Sequence, residues 1–424
     1  MLIGNNTNTL TMNRFRLILL SLFAIAACVS CSNDDEEEVN YAKKYNIVLN
    51  DRQKVLRDSL NFFAGDFYKA LCKNVKADNF VISPLSASIA LSMLANGASE
   101  EAKAEILEAL DMKGISIAEL NEYNKLFVEN LPKMATKASL SMGNLLWLQN
   151  TIKPQTSFVS AMQQSYNSEV LTTDKDKGIV AVNEWISKAT NGNIPQVLPE
   201  NDIIKLKNFA LVNTLTFHGQ WTYPYDEKDT KDEQFTNADG SKSTVRMMNQ
   251  RKTFAYYETA NIAVVEFPYG DRNKGYYPFV LSVALPEENV PLDECMEEML
   301  KMDISNERKA KSLKVKMPKV NFANYIDLVS TFQSMGIKSI FSEGNLKGIA
   351  DTEEPLTLRL AQQSAVLKFD EKGTIASAAT MYDDVATLNS GITNGEFFID
   401  HPFVFTIKAK DSNVVLFMGK VTKL

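Results

Sequence analysis

The sequence contains very little histidine and cysteine. It has only two histidines, His218 and His401, so their number excludes a metal site built from several histidines. Four cysteines in 424 residues cannot form a disulfide framework for the fold. The formal net charge of -7 argues against a chain-wide basic surface for nucleic acid. We therefore expect no metal, no other cofactor and no nucleic-acid partner.

Motifs for catalysis are also missing. The chain contains no G-x-S-x-G elbow, no H-E-x-x-H pair, no Walker loop and no G-x-G-x-x-G turn. A Ser–His–Asp triad that uses His218 or His401 stays open, but a structural hydrogen bond is the commoner role for a histidine at a strand end. Cys72 and Cys295 lie in helical segments, where buried or unreactive thiols are the simpler interpretation. The sequence thus argues against an enzyme, with a hydrolase as the minor alternative.

The N-terminal segment has the features of an export signal. Arg14 and Arg16 precede an apolar stretch that is too short to span a bilayer, and Cys28 and Cys31 follow it. This arrangement resembles a bacterial lipoprotein signal, in which a cysteine becomes the lipidated N-terminus. The acidic run directly after Cys31 resembles the tether of surface-exported lipoproteins in the Bacteroidetes. It favours Cys31 as the lipidation site, with Cys28 as the alternative.

The chain is therefore predicted to have three parts. Residues 1–31 form the signal peptide, residues 32–49 an acidic tether, and residues 50–424 a single folded domain without an internal linker. We expect the mature protein to be exported and anchored by lipid at the outer membrane or cell surface. An ordinary cleaved signal would instead leave it periplasmic or secreted.

Helical patterns lie mainly in the N-terminal half of this domain, and strand patterns in the C-terminal half. Apolar residues recur at helical spacing over 54–71, and Ser99 is a predicted N-cap for a helix over 99–110. Alternating or β-branched runs predict strands at 209–217, 262–268, 278–285, 313–320, 364–369 and 403–408. The mixture predicts an α+β domain with large, mostly antiparallel sheets.

The segment over 371–395 connects the last two predicted strands and is unusually long for a loop inside a compact domain. Its first part is a glycine followed by small, uncharged residues. At alternate positions four of them would share one face of an extended segment: Thr374, Ala376, Ala378 and Thr380. Small side chains on that face would allow the segment to enter a sheet as a new strand. A flexible linker is the alternative.

These residues and five further blocks resemble the serpin family. The hinge of the serpin reactive-centre loop is matched by Glu371, Gly373, Thr374, Ala376, Ala378, Ala379 and Thr380. The other blocks resemble, in order, helix B, the end of helix F, strand 3 of sheet A, the segment leading to the hinge and the C-terminal strand: residues 79–98, 183–194, 211–221, 317–341 and 400–405. The resemblance extends over about residues 50–424 in one register.

The resemblance implies a serpin-like single domain of three β-sheets with eight or nine helices and an exposed reactive-centre loop. It implies a monomer that acts as a suicide substrate and traps a serine protease, or a cysteine protease as the alternative, in a covalent 1:1 complex. The cleaved loop then inserts into sheet A. The small hinge residues favour this inhibitory role over a non-inhibitory binding or storage protein, and only Ile375 departs from the usual hinge pattern.

Family spacing places the reactive bond at Thr387–Leu388, with Ala386 and Asn389 as alternatives. No lysine or arginine occurs over residues 373–407, and trypsin-like proteases need a cation in their specificity pocket. Elastase-like or chymotrypsin-like proteases are therefore the favoured targets.

Residues that resemble the family's gating positions lie outside the loop. Ser83, Ser86 and Asn213 match the shutter region, together with Gln363, which stands where the family usually has histidine. Trp221 matches the breach. Asp384 shares the inward face of the hinge, so full insertion would require this carboxylate to reach the edge of the sheet and water.

Overall fold

The computed structural model describes residues 42–135, 138–194, 208–271, 275–302, 309–350, 352–359, 361–374 and 393–424. Several predicted features lie outside the described residues: Cys28, Cys31, the hinge from Ala376 to Thr380, and the reactive bond with its alternatives over 386–389. The first hinge residues, the shutter and the breach lie within them.

Eight α-helices lie wholly within the described part of the chain. They are α1 (Asp51–Asn74), α2 (Pro84–Ala95), α3 (Glu100–Ala109), α4 (Ile117–Met134), α5 (Thr156–Tyr166), α6 (Gly178–Ala189), α7 (Leu292–Lys301) and α8 (Val329–Ser334). Ser99 caps α3 as predicted, since its side chain accepts a hydrogen bond from the backbone of Ala102. The helix predicted over 54–71 begins earlier, because Asn50 and Gln53 form a reciprocal capping box.

A nine-stranded sheet contains most of the C-terminal strands. Its members are β1 (Phe80–Ile82), β5 (Lys231–Thr236), β6 (Lys242–Glu258), β7 (Ile262–Asp271), β8 (Tyr276–Pro286), β9 (Lys309–Pro318), β13 (Thr393–Phe398), β14 (Phe403–Ala409) and β15 (Val414–Val421). The order is β1-β15-β14-β8-β7-β6-β9-β13, with β5 also paired to β6.

A six-stranded sheet lies beside it and carries the hinge. Its members are β2 (Ala138–Gln149), β3 (Glu169–Thr173), β4 (Phe209–Gln220), β10 (Val320–Asp327), β11 (Gln362–Phe369) and β12 (Gly373–Thr374). The order is β10-β11-β12-β4-β2-β3, so the two-residue β12 lies between β11 and β4.

The long strand β6 links two layers of the nine-stranded sheet. Its first six residues pair with β5, the ten from Met247 to Tyr256 with β9 and its last four with β7. The three sheets expected for the fold thus occur as one separate sheet and two that share β6. The pairs are mostly antiparallel, as predicted, with β2–β3 and β9–β13 as the parallel exceptions.

The strand predicted over 313–320 is wrong in its extent, because the chain changes sheets there. β9 ends at Pro318 in the nine-stranded sheet, and β10 begins at Val320 in the six-stranded sheet. Pro318 has no N–H to continue a ladder, and the N–H of Lys319 donates instead to Arg246 O at 2.9 Å. This crossing places Lys319 beside the hinge.

The main hydrophobic core lies between the two sheets and under α1 and α2. Aromatic rings link the sheets, with Phe405 of β14 within 5.4 Å of both Phe322 of β10 and Phe369 of β11, measured between ring centroids. The core thus packs against β10 and β11, and the hinge follows directly after β11.

Candidate functional site: the hinge and the sheet that receives it

The hinge begins as a short strand already paired inside the six-stranded sheet. Thr374 pairs with Phe369 on one side and with Gly219 on the other, and Gly373 pairs with Gln220. A tight turn at Asp370 reverses the chain before it, since the Asp370 carboxylate accepts hydrogen bonds from the backbone N–H groups of Lys372 and Gly373. The start of the loop is therefore built as the first residues of a new strand.

Gly373 is required by the close approach of β4. Its φ is 153°, and a Cβ added there would lie 1.9 Å from Gly219 O and 2.8 Å from the Cα of Gln220. Backbone atoms cannot move away as a flexible side chain could, so only glycine fits this position.

Thr374, the second residue of β12, is completely buried. Its hydroxyl lies 2.7 Å from the hydroxyl of Tyr269 on β7, and this hydrogen bond joins the hinge to the other sheet. Burial raises the pKa of Tyr269 far above its ordinary value, so the phenol stays protonated. A small polar side chain is thus accommodated at the first inward hinge position.

Glu371 is held by a set of polar contacts at the top of the sheet. Its carboxylate accepts hydrogen bonds from Lys319 Nζ at 2.6 Å and from the Thr230 hydroxyl at 2.9 Å, and its carbonyl accepts one from the N–H of Tyr225. Burial alone would raise the pKa of Glu371, but the hydrogen bonds from Lys319 and Thr230 hold it below its usual range. The residue is therefore a charged anchor for the hinge.

Trp221 closes the same end of the sheet. Its indole N–H donates to Asp370 O at 2.8 Å, its backbone N–H donates to Lys372 O at 2.9 Å, and its ring stacks on Tyr269 with centroids 4.6 Å apart. The predicted breach residue therefore contacts both the turn before the hinge and the tyrosine that binds Thr374.

The four predicted shutter residues form one hydrogen-bonded chain halfway along the sheet. The Gln363 amide donates to Ser83 O at 2.9 Å and accepts from the N–H of Ser83 at 2.8 Å. The Ser83 hydroxyl accepts from the N–H of Ser86, whose own hydroxyl donates to the side-chain oxygen of Asn213. The chain links β11, α2 and β4, while the gating role of these residues stays a prediction.

Sequence reasoning missed the partners that complete both clusters. Asn144 on β2 extends the shutter chain, because it accepts a hydrogen bond from Asn213 at 2.5 Å and donates to Tyr166 O at 2.6 Å. Tyr269 and Lys319 complete the breach. All lie far from the hinge in sequence, and an isolated asparagine, tyrosine or lysine carries no local signal for such a contact.

The residues of the minor hydrolase alternative are not assembled for catalysis in the described part of the chain. His401 Nδ1 lies 2.9 Å from the adjacent Asp400 carboxylate, and burial lowers the pKa of His218 on β4. Neither histidine hydrogen-bonds a serine or cysteine among the described residues. Burial raises the pKa of Cys72 to about 11 and that of Cys295 to about 12, which disfavours the nucleophilic thiolate.

Two kinds of feature are absent from the described residues. No group of three or more potential metal ligands from histidine, cysteine, aspartate and glutamate occurs in them. None of their helices has the length and apolar character needed to cross a membrane.

The fold is of the α+β class, with two large sheets and the two-residue strand β12 between β11 and β4, and comparisons give its family. The family model described as serpin (serine protease inhibitor) matches residues 58–424. The chain therefore belongs to the serpin family, whose members are generally protease inhibitors and not enzymes.

Individual relatives are consistent with this family assignment. The chain is 29% identical over 370 residues to an alpha-1-antitrypsin-like protein of Tamias sibiricus, covering 85% of this chain and 86% of that protein. It is 26% identical to a leukocyte elastase inhibitor of Bos taurus, covering 85% of this chain and 97% of the inhibitor. Its fold resembles that of the native thermophilic serpin tengpin, with a TM-score of 0.78 at 24% identity, covering 89% of this chain and 96% of tengpin.

Proposed function

We propose that this serpin is a suicide inhibitor of serine endopeptidases, with elastase-like and chymotrypsin-like enzymes as its targets. The observation that carries the proposal is the hinge strand β12. Gly373 and Thr374 already pair with β4 and reach β11, at the top of the sheet that would receive the loop.

The edge of β4 below the hinge strand supports insertion. β4 pairs with β2 along one edge from Phe209 to Gly219, but on its other edge its described backbone pairs reach only β12. No backbone pair within the described residues joins β4 directly to β11. An edge of this kind offers hydrogen-bonding groups to an added strand.

The chemistry of trapping belongs mostly to the protease. The protease serine attacks the carbonyl of the reactive bond and forms an acyl-enzyme, while the residue after the bond leaves with the new amino group. The N-terminal part of the loop stays joined to β11 through the hinge and carries the acylated protease. Insertion then gains strand hydrogen bonds that the uncleaved loop could not make.

A pair of hinge variants tests insertion. Ala378→Arg places a charge on the inward face of the inserted strand, so we expect cleavage without a covalent complex, since an unpaired buried charge is very costly. Ala379→Arg is the matched control on the outward face and should still form the complex. Both are incubated with pancreatic-type elastase, chymotrypsin and trypsin, and the products are separated on denaturing gels.

The gel pattern distinguishes an inhibitor from a non-inhibitory serpin. A complex with elastase or chymotrypsin that resists SDS, present in wild type and Ala379→Arg but lost in Ala378→Arg, supports the proposal. If wild type is cleaved by every protease without any complex and without a rise in thermal stability, the chain is a non-inhibitory serpin.

We further propose that the inhibitor is displayed on the outside of a bacterial cell through a lipid on Cys31. The acidic run after that cysteine supports this site over Cys28. Metabolic labelling with a fatty-acid analogue in a bacterial host should mark wild type and Cys28→Ala but not Cys31→Ala. Labelling that follows Cys28 instead would move the anchor to that residue, and no labelling would leave a secreted protein.

A further inference from the structure

A cluster of three polar side chains joins α2, α4 and α5, apart from the shutter and the breach. Asn96, directly after α2, and Asn121 of α4 exchange two hydrogen bonds through their side-chain amides, at 2.8 and 2.9 Å. Tyr166, the last residue of α5, donates its hydroxyl to Asn121 Oδ1 at 2.7 Å and accepts a longer hydrogen bond from Asn96 Nδ2 at 3.5 Å. The cluster thus ties three helices to one another.

The cluster is well shielded and fully satisfied. Tyr166 is completely buried, and burial raises the pKa of its phenol far above the ordinary value, so the hydroxyl remains a hydrogen-bond donor. Within the described structure, none of the three side chains leaves a buried nitrogen or oxygen without a partner. Because hydrogen bonds are stronger away from water and costly to leave unmade, the cluster resists any motion that separates the three helices.

Two of the three helices belong to the side of the six-stranded sheet that contains β4. α5 connects β2 to β3 along the chain, and Asn144 of β2 donates to Tyr166 O at 2.6 Å and accepts a hydrogen bond from Asn213 of β4. α4 packs mainly against α5 and β2. We therefore expect Tyr166 and Asn121 to move with β4.

α2 belongs to the other side of the sheet. It follows β1, which pairs with β15 of the nine-stranded sheet, and Ser83 at its start exchanges two hydrogen bonds with Gln363 of β11. The shutter bond from Ser86 to Asn213 crosses from α2 to β4. Asn96 makes a second crossing at the opposite end of α2, about 20 Å from Ser83 by the helical rise.

Insertion of a full strand requires the two sides to separate. Cα atoms of β4 and β11 approach within 8 Å of one another, whereas strands on either side of an inserted strand are two strand spacings apart, about 10 Å. β4 must therefore move away from β11, and α4 and α5 follow it while α2 stays. The hydrogen bonds from Asn96 to Asn121 and Tyr166 lie across the path of this movement.

We propose that Asn96, Asn121 and Tyr166 form a latch that slows the opening of the six-stranded sheet. The latch is a second point of control at the helices, in addition to the shutter. Its members are positioning residues, because they act on insertion through the movement of α5 relative to α2. The inference rests on the insertion mechanism of the proposed function.

Asn96→Ala tests the latch, with Asn130→Ala as its matched control. Both asparagines donate to the carbonyl four residues earlier in their own helix, but Asn130 has no hydrogen bond to another helix among the described residues. Inhibitory activity of the mature full-length protein is followed during mild heating without protease. Asn96→Ala should lose activity at least about fivefold faster than wild type, the factor expected from the loss of one net hydrogen bond. Asn130→Ala should lose it at the wild-type rate, and equal rates for the two variants would overturn the proposal.

Urea unfolding of the native and cleaved forms separates a latch from an ordinary stabilising contact. In the native form, Asn96→Ala should unfold at lower urea than wild type. After the loop has been cleaved and inserted the latch is already open, so the variant and wild type should unfold alike. A loss of stability of equal size in both forms would contradict the latch, because the cluster would then survive insertion unchanged.

Asn121→Ala removes the same amide bonds from the α4 side and keeps the test open if Asn96→Ala folds poorly. Because the two variants break the same bonds, the double variant should lose activity no more than about twofold faster than either single variant. Additive effects on the logarithm of the rate would show two independent contacts and refute the latch. A wild type that gains no stability on cleavage would overturn insertion itself and the latch with it, whereas normal trapping with equal rates in all variants would overturn the latch alone.

Discussion

The contact between Gln363 and the start of α2 makes the most quantitative prediction. Gln363 is 7% exposed on β11, and its side-chain amide exchanges two hydrogen bonds with the backbone of Ser83. Gln363→Leu keeps the approximate volume and removes both bonds. Ser83 O still accepts from the N–H of Ala87 at 3.1 Å, whereas the N–H of Ser83 is left buried and unpaired.

The expected loss of stability in Gln363→Leu follows from these two hydrogen bonds. An orphaned buried N–H costs about 1–3 kcal/mol, and the second lost bond about 0.5–1.5 kcal/mol. Burying a leucine side chain in place of an amide offsets part of this cost. We therefore expect the free energy of unfolding to fall by about 2–3 kcal/mol. Gln362→Leu is the matched control, because Gln362 is its neighbour on the same strand and its side chain accepts only a surface hydrogen bond from Tyr325.

Urea unfolding followed by tryptophan fluorescence measures the difference. Gln363→Leu should shift the first transition to clearly lower urea at an unchanged slope, while Gln362→Leu should stay within about 0.5 kcal/mol of wild type. If the proposed insertion mechanism holds, Gln363→Leu should also lose inhibitory activity faster on mild heating, because β11 is less firmly held to α2. Equal transitions for the two variants would refute the reasoning, since the amide contact would then carry no net free energy.

Two further predictions concern the hinge. The pKa of Glu371 is held low in the folded protein, so its contribution to stability is present above its unfolded pKa of about 4.3 and is lost as the pH falls through the folded value. Glu371→Gln should therefore be less stable than wild type at pH 7 and should lose less stability on acidification to about pH 3, measured by unfolding at each pH; parallel pH profiles would contradict this. Gly373→Ala should prevent β12 from pairing, because its Cβ would meet Gly219 O, at a cost of about 1–3 kcal/mol. Amide exchange at Thr374 should then accelerate strongly relative to that in β11, and unchanged protection would show that the backbone can yield.

Much of the architecture could be predicted from sequence because its signals are local or come from long motifs. Ser99 is a strong cap at the start of a helical pattern, and the structure uses it as one. The strand at 403–408 was predicted to within one residue, because its alternation and β-branched residues are bounded by Pro402. The expected fold class is confirmed by the family match.

What could not be predicted depends on contacts between distant segments. Lys319 appeared as part of one continuous strand, whereas it marks the crossing between two sheets and reaches Glu371, 52 residues further on. The bond between Tyr269 and Thr374 joins residues 105 apart. Lys408 lay inside a predicted apolar strand, and only the structure shows that its charged side chain is buried. Periodicity reports which face a side chain occupies, but not what that face meets.

The register of the hinge strand also bears on Asp384, the carboxylate that insertion would turn inward. Thr374 pairs antiparallel with Gly219, so each further loop residue of an inserted strand would pair one residue earlier on β4. Continuing that register places residue 384 opposite Phe209, the first residue of β4. On the other side of the inserted strand, Phe369 of β11 pairs with Thr374. In the same register the first residue of β11, Gln362, would pair with residue 381. β11 would therefore end before residue 384. Asp384 would thus arrive at the far end of the sheet, about 33 Å from the hinge. There β11 would no longer flank the carboxylate, so the cost of burying the charge would be lower than in the middle of the sheet.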